Sequence, residues 1–420
     1  MNDKTSDRRR FLRQSAAWTG GLAAAATTGA ARAQATPAEP LVLPAWTTEQ
    51  GRPAASPYGQ PSRFETQAIR RAAEGAQPAF PTAASSRTPL AQLFGSLTPN
   101  GLVFERHHAG VPDIDPAQHR LVVHGLVARP LSFTLDDLLR FPSVSRVHFL
   151  ECAGNSGSEW RPARKLTVQS IHGLLSGCEW TGVPLAVLLQ EAGVSRDARW
   201  LLAEGADASS MTRSVPIEKA LDDALVVYAQ NGEMLRPEQG YPVRLLLPGW
   251  EGNTSVKWLR RLKLGTAPWQ SRQETSKYTD LLPDGTARQF SFVHDVKSVI
   301  TSPSGGQTLR GLGRREITGL AWSGHGAVRR VDVSVDGGRQ WREATLQGPV
   351  LDKALTRFAL SWDWQGQPAV LQSRAIDRRG NVQPTRAQLI AARGTESGYH
   401  YNGIQSWQVL PSGEVFNVHA

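Results

Sequence analysis

The stretch VHFLECAGN, residues 147–155, is the point where an apolar strand breaks into small turn residues. The pattern over residues 146–152 predicts a β-strand, and Gly154 and Asn155 predict the turn that ends it. A side chain at such a junction lies at the rim of a pocket, and small neighbours let a bulky group approach the backbone. Cys152 stands at this junction, and its thiolate would be a soft ligand suited to a metal.

The N-terminal segment predicts export. Residues 7–13, DRRRFLR, form a twin-arginine pattern, and a weakly apolar stretch over residues 15–31 follows. Residues 31–33, ARA, offer the small side chains that a signal peptidase reads. The apolar stretch is too short to span a bilayer stably, and no other run of about 18 apolar residues occurs. We therefore expect residues 1–33 to be a cleaved signal peptide and the mature protein to be periplasmic, without a membrane span.

The chain has two cysteines, Cys152 and Cys178. In an exported protein an even number suggests a disulfide, and two buried thiols are the other simple outcome. Cys178 lies in LLSGCEW, residues 174–180, where a structural role is the simplest interpretation. Cysteine number alone therefore leaves a disulfide-bonded, secreted binding protein open beside a metal enzyme.

The formal net charge of +10 favours an acidic partner or an anionic substrate. Six Lys or Arg residues and only two Asp residues precede the predicted cleavage site, so part of this charge would leave with the signal peptide. No block of basic residues is interleaved with aromatic ones, which argues against nucleic-acid binding. The remaining charge fits an anionic substrate or a docking surface for an acidic protein.

Length and patterning predict two folded domains with flanking segments. Residues 34–99 are rich in Pro, Ala, Ser and Gln and are expected to form an extended arm. Residues 100–289 mix strand and helix signals. A short helix is predicted over residues 134–140 with Thr134 as its cap, and another over residues 183–192 with Gly193 after its end. Residues 290–394 show short alternating segments and a hairpin turn, DGG, at residues 336–338. We predict an α+β protein in which a mixed α/β domain precedes an immunoglobulin-like β-sandwich and a C-terminal tail, residues 395–420.

Several motifs in matching order resemble the sulfite oxidase family. Residues 151–159 resemble its molybdenum-ligand motif, and residues 104–116 resemble its first pterin-binding segment. Residues 240–261 resemble its phosphate-binding segment, and motifs within residues 321–384 resemble its dimerisation domain. The resemblance covers residues 100–394. It implies a molybdopterin-binding domain of sulfite oxidase type, residues 100–289, and a sandwich that pairs two chains.

The resemblance also implies roles for individual residues. Cys152 is implied as the molybdenum ligand, and Arg106, Tyr278 and Arg393 are implied to orient substrate and stabilise charge at the reacting centre. Arg244 and Lys257 supply fixed positive charge suited to the phosphate of the pterin. The residues implied to bind the cofactor are Phe104, Arg106, His107, His108, Cys152, Asp207, Gln239, Arg244, Ser255, Val256 and Lys257.

The implied cofactor is molybdenum with one pyranopterin dithiolene, and the implied chemistry is oxygen transfer to sulfur. Electrons must then leave one at a time. The sequence holds no C-x-x-C-H haem motif and no spare cysteines for an iron–sulfur cluster. We therefore expect no haem in this chain and a separate c-type cytochrome as electron acceptor.

Two departures from the family pattern bear on the substrate. Sulfite-oxidising members carry an arginine five residues after the metal cysteine, where this chain has Gly157, and Gln239 replaces a phosphate-contacting histidine. Loss of a cation should weaken sulfite binding, and the glycine is expected to open space.

The C-terminal residues 398–407 and 417–420 resemble the sulfane dehydrogenase branch of the family, which acts in periplasmic thiosulfate oxidation. We predict that the protein oxidises sulfane sulfur on a sulfur-carrier protein, as a homodimer within a hetero-oligomer. Dehydrogenation of free sulfite to sulfate is the alternative.

Overall fold

The computed structural model describes residues 58–72, 84–396 and 398–420. The chain divides into one unit over Met1–Ser62 and a second over Arg63–Ala420. The described residues of the first unit, 58–62, form no helix or strand. The predicted signal peptide lies outside the described residues, as does much of the predicted arm. Within the described ranges, no helix is long and apolar enough to cross a bilayer.

The helices of the second unit are short and connect a larger number of strands. Thr134 and Asp137 form a capping box, because each side chain bonds the backbone N–H of the other residue, and this starts the first helix where the sequence predicts it. Gly193, at φ 69°, ends the helix predicted near residues 183–192. The α-helices of the described chain are α1 (Leu135–Arg140), α2 (Val168–His172), α3 (Leu185–Ala192), α4 (Ile217–Asp222), α5 (Arg272–Thr275) and α6 (Arg386–Arg393).

The strands up to residue 288 form the part of the molecule that carries most of the predicted site residues. They are β1 (Arg71–Ala72), β2 (Ala84–Arg87), β3 (Glu105–His107), β4 (Leu121–Gly125), β5 (Leu131–Phe133), β6 (Val144–Glu151), β7 (Leu175–Pro184), β8 (Trp200–Gly205), β9 (Thr212–Pro216), β10 (Leu225–Gln230), β11 (Glu233–Met234), β12 (Arg244–Leu246), β13 (Leu259–Gly265), β14 (Asp280–Leu281) and β15 (Ala287–Arg288).

These strands build three sheets and one small hairpin. The sheet orders are β1-β2-β3, then β11-β10-β7-β6 with β12 also on β10, and β5-β4-β13-β8-β9, while β14 pairs β15. The β13–β4 pair is parallel, whereas β13 and β8 are antiparallel, which makes the third sheet mixed. A core of Leu, Val and Ala side chains lies between these sheets and helices α3 and α4. This rigid frame positions the ends of β3, β6 and β12, which carry predicted site residues.

The remaining strands form the predicted sandwich. They are β16 (Lys297–Ser302), β17 (Gly313–Trp322), β18 (Val328–Ser334), β19 (Arg342–Glu343), β20 (Thr345–Gln347), β21 (Thr356–Trp364), β22 (Ala369–Asp377), β23 (Ser406–Val409) and β24 (Val415–Val418). Two sheets, β16-β17-β21-β20 and β19-β18-β22-β23-β24, enclose a core that includes Trp322, Phe358 and Leu371. The α+β prediction, with a mixed domain followed by a β-sandwich, is confirmed.

The C-terminal residues differ from the prediction. Residues 395–420 were expected to be a tail outside the sandwich, but β23 and β24 extend its second sheet beside β22. The reason is burial, because Trp407, Val409 and Val415 alternate inward and are at most 1% exposed. Part of the predicted arm is likewise paired, since β2 lies antiparallel to β3 with Ser85 opposite Arg106.

Candidate functional site

One cavity brings together almost all of the predicted site residues. Its volume is about 640 Å³, part of which is open to solvent. It is lined by Phe104, Arg106, His107, His108, Cys152, Asp207, Gln239, Arg244, Ser255, Val256, Lys257 and Tyr278. Of the predicted site residues, Arg393 alone is absent from this wall. The prediction missed five lining residues, namely Leu150, Met211, Gly252, Asn253 and Trp258.

Cys152 is positioned by the end of β6. Its N–H donates to the carbonyl of Leu174 at 3.0 Å, and its carbonyl accepts from the N–H of Asn155 at 2.9 Å, which closes the turn. Gly252 packs so closely that a Cβ there would lie 2.7 Å from the carbonyl oxygen of Glu151. Burial raises the pKa of the Cys152 thiol. The thiol therefore stays protonated at neutral pH unless a metal ion stabilises the thiolate.

Both cysteines are free thiols. Cys178 is fully buried, and its sulfur accepts a hydrogen bond from Nε2 of Gln230 at 3.2 Å. Burial raises the pKa of this thiol to about 12, so it is neither a nucleophile nor a ligand as it stands. The alternative of a secreted binding protein with a Cys152–Cys178 disulfide is therefore wrong.

The side chains near Cys152 that could ligate a metal limit the kind of metal centre that this cavity can hold. Among residues 58–72, 84–396 and 398–420, no group of three or more His, Cys, Asp or Glu side chains is arranged to hold a metal ion. A metal bound by Cys152 would therefore need further ligands from a bound organic group. A dithiolene, which brings two soft sulfur ligands, fits this requirement.

Arg244 and Lys257 place one buried and one partly buried cation at the cavity wall. Arg244 is 2% exposed, and its Nη atoms donate to the carbonyls of Gln239 and Ser255 at 3.0 Å each. Its Nε has no hydrogen-bond partner, and in the described part of the chain no carboxylate pairs with either cation. Burial lowers the pKa of Arg244 to about 10. A buried cation without an ion-pair partner is costly, so Arg244, with Lys257 beside it, makes the site suited to an anion such as a phosphate.

Lys257 provides a test of this anion site. Burial, with the charge of Arg244, lowers its pKa to about 7. In the cofactor-free protein at pH 8 the amine is therefore mostly neutral, and a bound phosphate should recharge it. We expect cofactor binding at pH 8 to take up about one more proton in the wild type than in Lys257→Met, and affinity to fall as the pH rises above about 7. Titration calorimetry in buffers of different ionisation enthalpy measures this uptake.

A matched control for that experiment is Lys263→Met, because Lys263 lies on β13 against Trp269 and does not line the cavity. This variant should take up the same number of protons as the wild type. Equal uptake by the wild type and by Lys257→Met would show that Lys257 does not meet the anion.

A second group of polar side chains lies at the Cys152 end of the cavity. Nη2 of Arg106 lies 3.2 Å from Nδ1 of His108, and Nε2 of His108 lies 3.1 Å from the hydroxyl of Tyr278. Burial, with the charge of Arg106, lowers the pKa of His108 to about 4, so this ring is neutral at pH 7. Because Arg106 can only donate, Nδ1 of His108 accepts and Nε2–H donates to Tyr278. The hydroxyl proton of Tyr278 is thereby left to point at another acceptor.

Two of the predicted site residues, Asp207 and Arg393, lie in different surroundings. Asp207 is buried in the cavity wall, where its carboxylate accepts from the N–H of Met211 at 3.2 Å. Arg393 is 8% exposed and lies at the end of α6, away from the cavity wall. Its guanidinium faces Asp280 at 3.4 Å and Asp295 at 3.7 Å. The structure therefore does not bring Arg393 to the cavity, and its charge is already balanced by two carboxylates.

Gly157 does not open space as the sequence suggested. A Cβ at this position would lie 2.9 Å from the carbonyl oxygen of Gly398. The segment around Gly398, residues 398–402 and here named the C-terminal strap, is held against the Cys152 loop because the N–H of His400 donates to the carbonyl of Ala153 at 2.8 Å. The ring of Tyr399 lies 5.1 Å from that of Tyr278. The glycine thus makes room for backbone, which fills the place next to the site.

Comparison with known proteins supports a shared fold and cofactor. Residues 108–273 match the family model of the oxidoreductase molybdopterin binding domain, and residues 288–406 match that of the Mo-co oxidoreductase dimerisation domain. The chain is 34% identical to mitochondrial sulfite oxidase of Mus musculus, across 72% of this chain and 60% of that protein. Against sulfite oxidase of Gallus gallus it is 35% identical, across 70% of this chain and 69% of that protein.

A solved structure extends the match. The crystal structure of the sulfane dehydrogenase SoxCD from Paracoccus pantotrophus superimposes with a TM-score of 0.88 at 50% identity, covering 90% of this chain and 97% of that chain. The chain also spans 34% of an NADH nitrate reductase from Solanum lycopersicum at 34% identity, so the likeness reaches beyond sulfur enzymes. The chain therefore belongs to the sulfite oxidase family of molybdopterin oxidoreductases, and its cofactor is molybdenum-molybdopterin.

Proposed function

We propose that this protein is the molybdenum subunit of a periplasmic enzyme that oxidises sulfane sulfur bound to a carrier protein. The observation that carries the proposal is the C-terminal strap, whose Gly398 carbonyl occupies the space beside Gly157. No side chain can extend from residue 157 while the strap is in place. The arginine that sulfite-oxidising relatives carry at this position is thus excluded by packing as well as by sequence.

Charge at the site supports a substrate with less negative charge than sulfite. A sulfite dianion is bound best by several cations in a dry pocket. Arg106 is the cation that lines the cavity and bonds His108 of the His108–Tyr278 group. Arg213 lies against the ring of Tyr278, but it donates to the carbonyl of Gln273 and does not line the cavity. Arg393 is held by Asp280 and Asp295. A persulfide on a carrier carries a single negative charge, which one guanidinium can balance.

The protein side chains have separable tasks in this proposal. Cys152 would hold the molybdenum, while Arg244 and Lys257 would hold the phosphate of the pterin. The bound cofactor supplies the oxygen-transfer and two-electron chemistry. Arg106 would attract the anionic sulfur, and the Tyr278 hydroxyl, fixed by neutral His108, would donate a hydrogen bond to the oxygen being transferred.

The proposed electron acceptor follows from the absence of a haem-binding cysteine pair in this sequence. Cys152 is assigned to the cofactor and Cys178 is buried, so these 420 residues offer no cysteine pair for a covalent haem. We propose a c-type cytochrome as the acceptor and the periplasm as the location, in agreement with the twin-arginine pattern. We further propose that residues 100–289 form the catalytic domain, and that the sandwich pairs two chains.

Steady-state kinetics with a c-type cytochrome as acceptor test the proposal. We expect kcat/KM for a carrier protein loaded with a persulfide to exceed that for free sulfite by about two orders of magnitude, since the anion pocket lacks one charge-assisted contact worth about 1.5–3 kcal/mol. The control is the same carrier with its sulfur-bearing thiol alkylated, which should give no turnover. Fast, tight turnover of free sulfite without a carrier would instead establish the alternative, a sulfite dehydrogenase.

A further inference from the structure

Three titratable side chains form a row between the cavity wall and the protein surface. Oε1 of Glu251 lies 3.1 Å from Nδ1 of His400, and Nε2 of His400 lies 3.0 Å from Oδ2 of Asp295. The side chains of Glu251 and His400 are 3% and 2% exposed, whereas that of Asp295 is 44% exposed. The row therefore begins in a dry interior and ends in solvent.

The inner end of the row contacts the cavity wall through Asn253. The amide nitrogen of Asn253 donates to Oε2 of Glu251 at 3.0 Å, and Asn253 itself lines the cavity. The amide oxygen of Asn253 is buried and has no hydrogen-bond partner. A buried acceptor of this kind is normally satisfied by water.

The outer end of the row is held by two further groups. Oδ1 of Asp295 lies 3.1 Å from Nε2 of His325, whose side chain is 28% exposed. Nη2 of Arg393 lies 3.7 Å from Oδ2 of Asp295, so the arginine that the sequence placed in the pocket instead orients this carboxylate. A half-exposed carboxylate beside a histidine can exchange protons with bulk water.

His400 is arranged to carry a proton between the two carboxylates. Burial opposes its protonation, but hydrogen bonds to Asp295 and Glu251 outweigh this and raise its pKa. Of the other groups near it, His294 stacks on its ring at 5.7 Å, and the charge of Arg393 acts to lower the pKa. Each ring nitrogen faces a carboxylate oxygen, so a proton lost from Nε2 to Asp295 can be replaced at Nδ1 from Glu251. Against the effect of burial, the bonds to His400 help to hold the pKa of both carboxylates below the usual range, so each carboxylate carries the proton only briefly.

The chemistry of the site needs such an outlet. When one oxygen atom from water is added to a sulfur atom, a sulfur–oxygen bond forms, both O–H bonds of water break, and two protons and two electrons are released. The electrons pass singly to two acceptor molecules of the c-type cytochrome class. The two protons must leave the cavity, and while a substrate fills its open side, a separate path of ionisable groups would carry them.

We propose that Glu251, His400 and Asp295 form a proton path that connects the molybdenum cavity to solvent. The inference rests on the proposed function only in the source of the protons. The arrangement exceeds what is needed to fasten the C-terminal strap, because the N–H of His400 already bonds the carbonyl of Ala153. It places two carboxylates on one imidazole and leaves the outermost one in contact with water.

Chemical reduction of the holoenzyme tests the path without any sulfur substrate. Rapid mixing with the reduced methyl viologen radical, which is oxidised without release or uptake of protons, in weakly buffered solution containing an indicator dye reports proton uptake as the centre is reduced. We expect uptake to be at least about ten-fold slower in Asp295→Asn and in His400→Gln than in the wild type, and added imidazole to restore the rate in Asp295→Asn. Asp295→Asn keeps the shape of the side chain and is partly exposed, so this variant folds even if His400→Gln does not.

Asp332→Asn is the matched control, because Asp332 is a buried carboxylate in the sandwich that pairs with Arg330 and Arg374 and does not line the cavity. It should take up protons at the wild-type rate. Unchanged uptake in Asp295→Asn overturns the path, whatever substrate the enzyme oxidises. Slow uptake in this variant, together with no oxidation of any sulfur compound by the wild type, leaves the path standing and overturns the proposed function.

Discussion

Cys152→Ala is expected to reduce turnover by more than the roughly 10–100-fold loss that follows when only a hydrogen-bond partner of a metal ligand is changed. Cys152 is the sole cysteine in the cavity wall, and the described residues offer no set of three His, Cys, Asp or Glu ligands to replace it. The measurements are molybdenum content and turnover per bound cofactor. They separate a cofactor that no longer binds from one that binds but does not react.

Cys178→Ala provides the matched control for this prediction. Cys178 is a residue of β7 whose buried side chain packs in the core and contacts Gln230. The variant should keep its molybdenum and its turnover, while the free energy of unfolding falls by about 1–3 kcal/mol because the Gln230 amide loses an acceptor. Wild-type turnover in Cys152→Ala would contradict the assignment of Cys152 as the metal ligand.

Arg244→Met is expected to act in opposite directions on the cofactor-free and the cofactor-bound protein. Without cofactor, the guanidinium is a buried charge with no carboxylate partner and with an unsatisfied Nε, so methionine should leave the free energy of unfolding unchanged or raise it. With cofactor, loss of a charge-assisted contact to phosphate should weaken binding about 10–100-fold, or about 1.5–3 kcal/mol. Chemical denaturation and cofactor titration measure the two effects.

Arg129→Met controls for the loss of an arginine as such. Arg129 is 65% exposed and pairs with Glu191 at the surface, so its removal should change neither the cofactor affinity nor, beyond a few tenths of a kcal/mol, the stability. A marked loss of stability in the cofactor-free Arg244→Met protein would show that the arginine is structural. The anion site would then rest on Lys257 alone.

Local patterns accounted for much of the fold. The capping box at Thr134, the glycine end of α3 and the alternation along β17, β18 and β22 are properties of short stretches, and each appears where the pattern predicts it. The C-terminal strands did not appear in the prediction. β23 and β24 are four residues each, and such short segments become strands only because β22 offers an edge to pair with.

The candidate site, like the fold, was predicted only in part from the sequence. Motif order placed Arg106, Cys152, Arg244 and Lys257 in one site, and the fold does bring them to one cavity wall. Gly252 and Asn253 lie close to Ser255 within residues 240–261, which resemble the phosphate-binding segment, whereas nothing in the sequence marked Met211 as a site residue. Met211, Gly252 and Asn253 enter the wall because the fold brings them beside residues distant in the chain, which no local pattern records.

The residues around Cys152 show which features are determined by the sequence and which by the tertiary structure. By itself, the sequence determined that a cysteine ends an apolar strand among small residues, and that glycine stands at position 157. Only the tertiary structure decided that Gly157 faces the backbone of Gly398, that Arg393 is balanced by two aspartates, and that His400 lies between Glu251 and Asp295. The physical reason is that charge balance and close packing depend on partners far apart in the chain, which no local periodicity records.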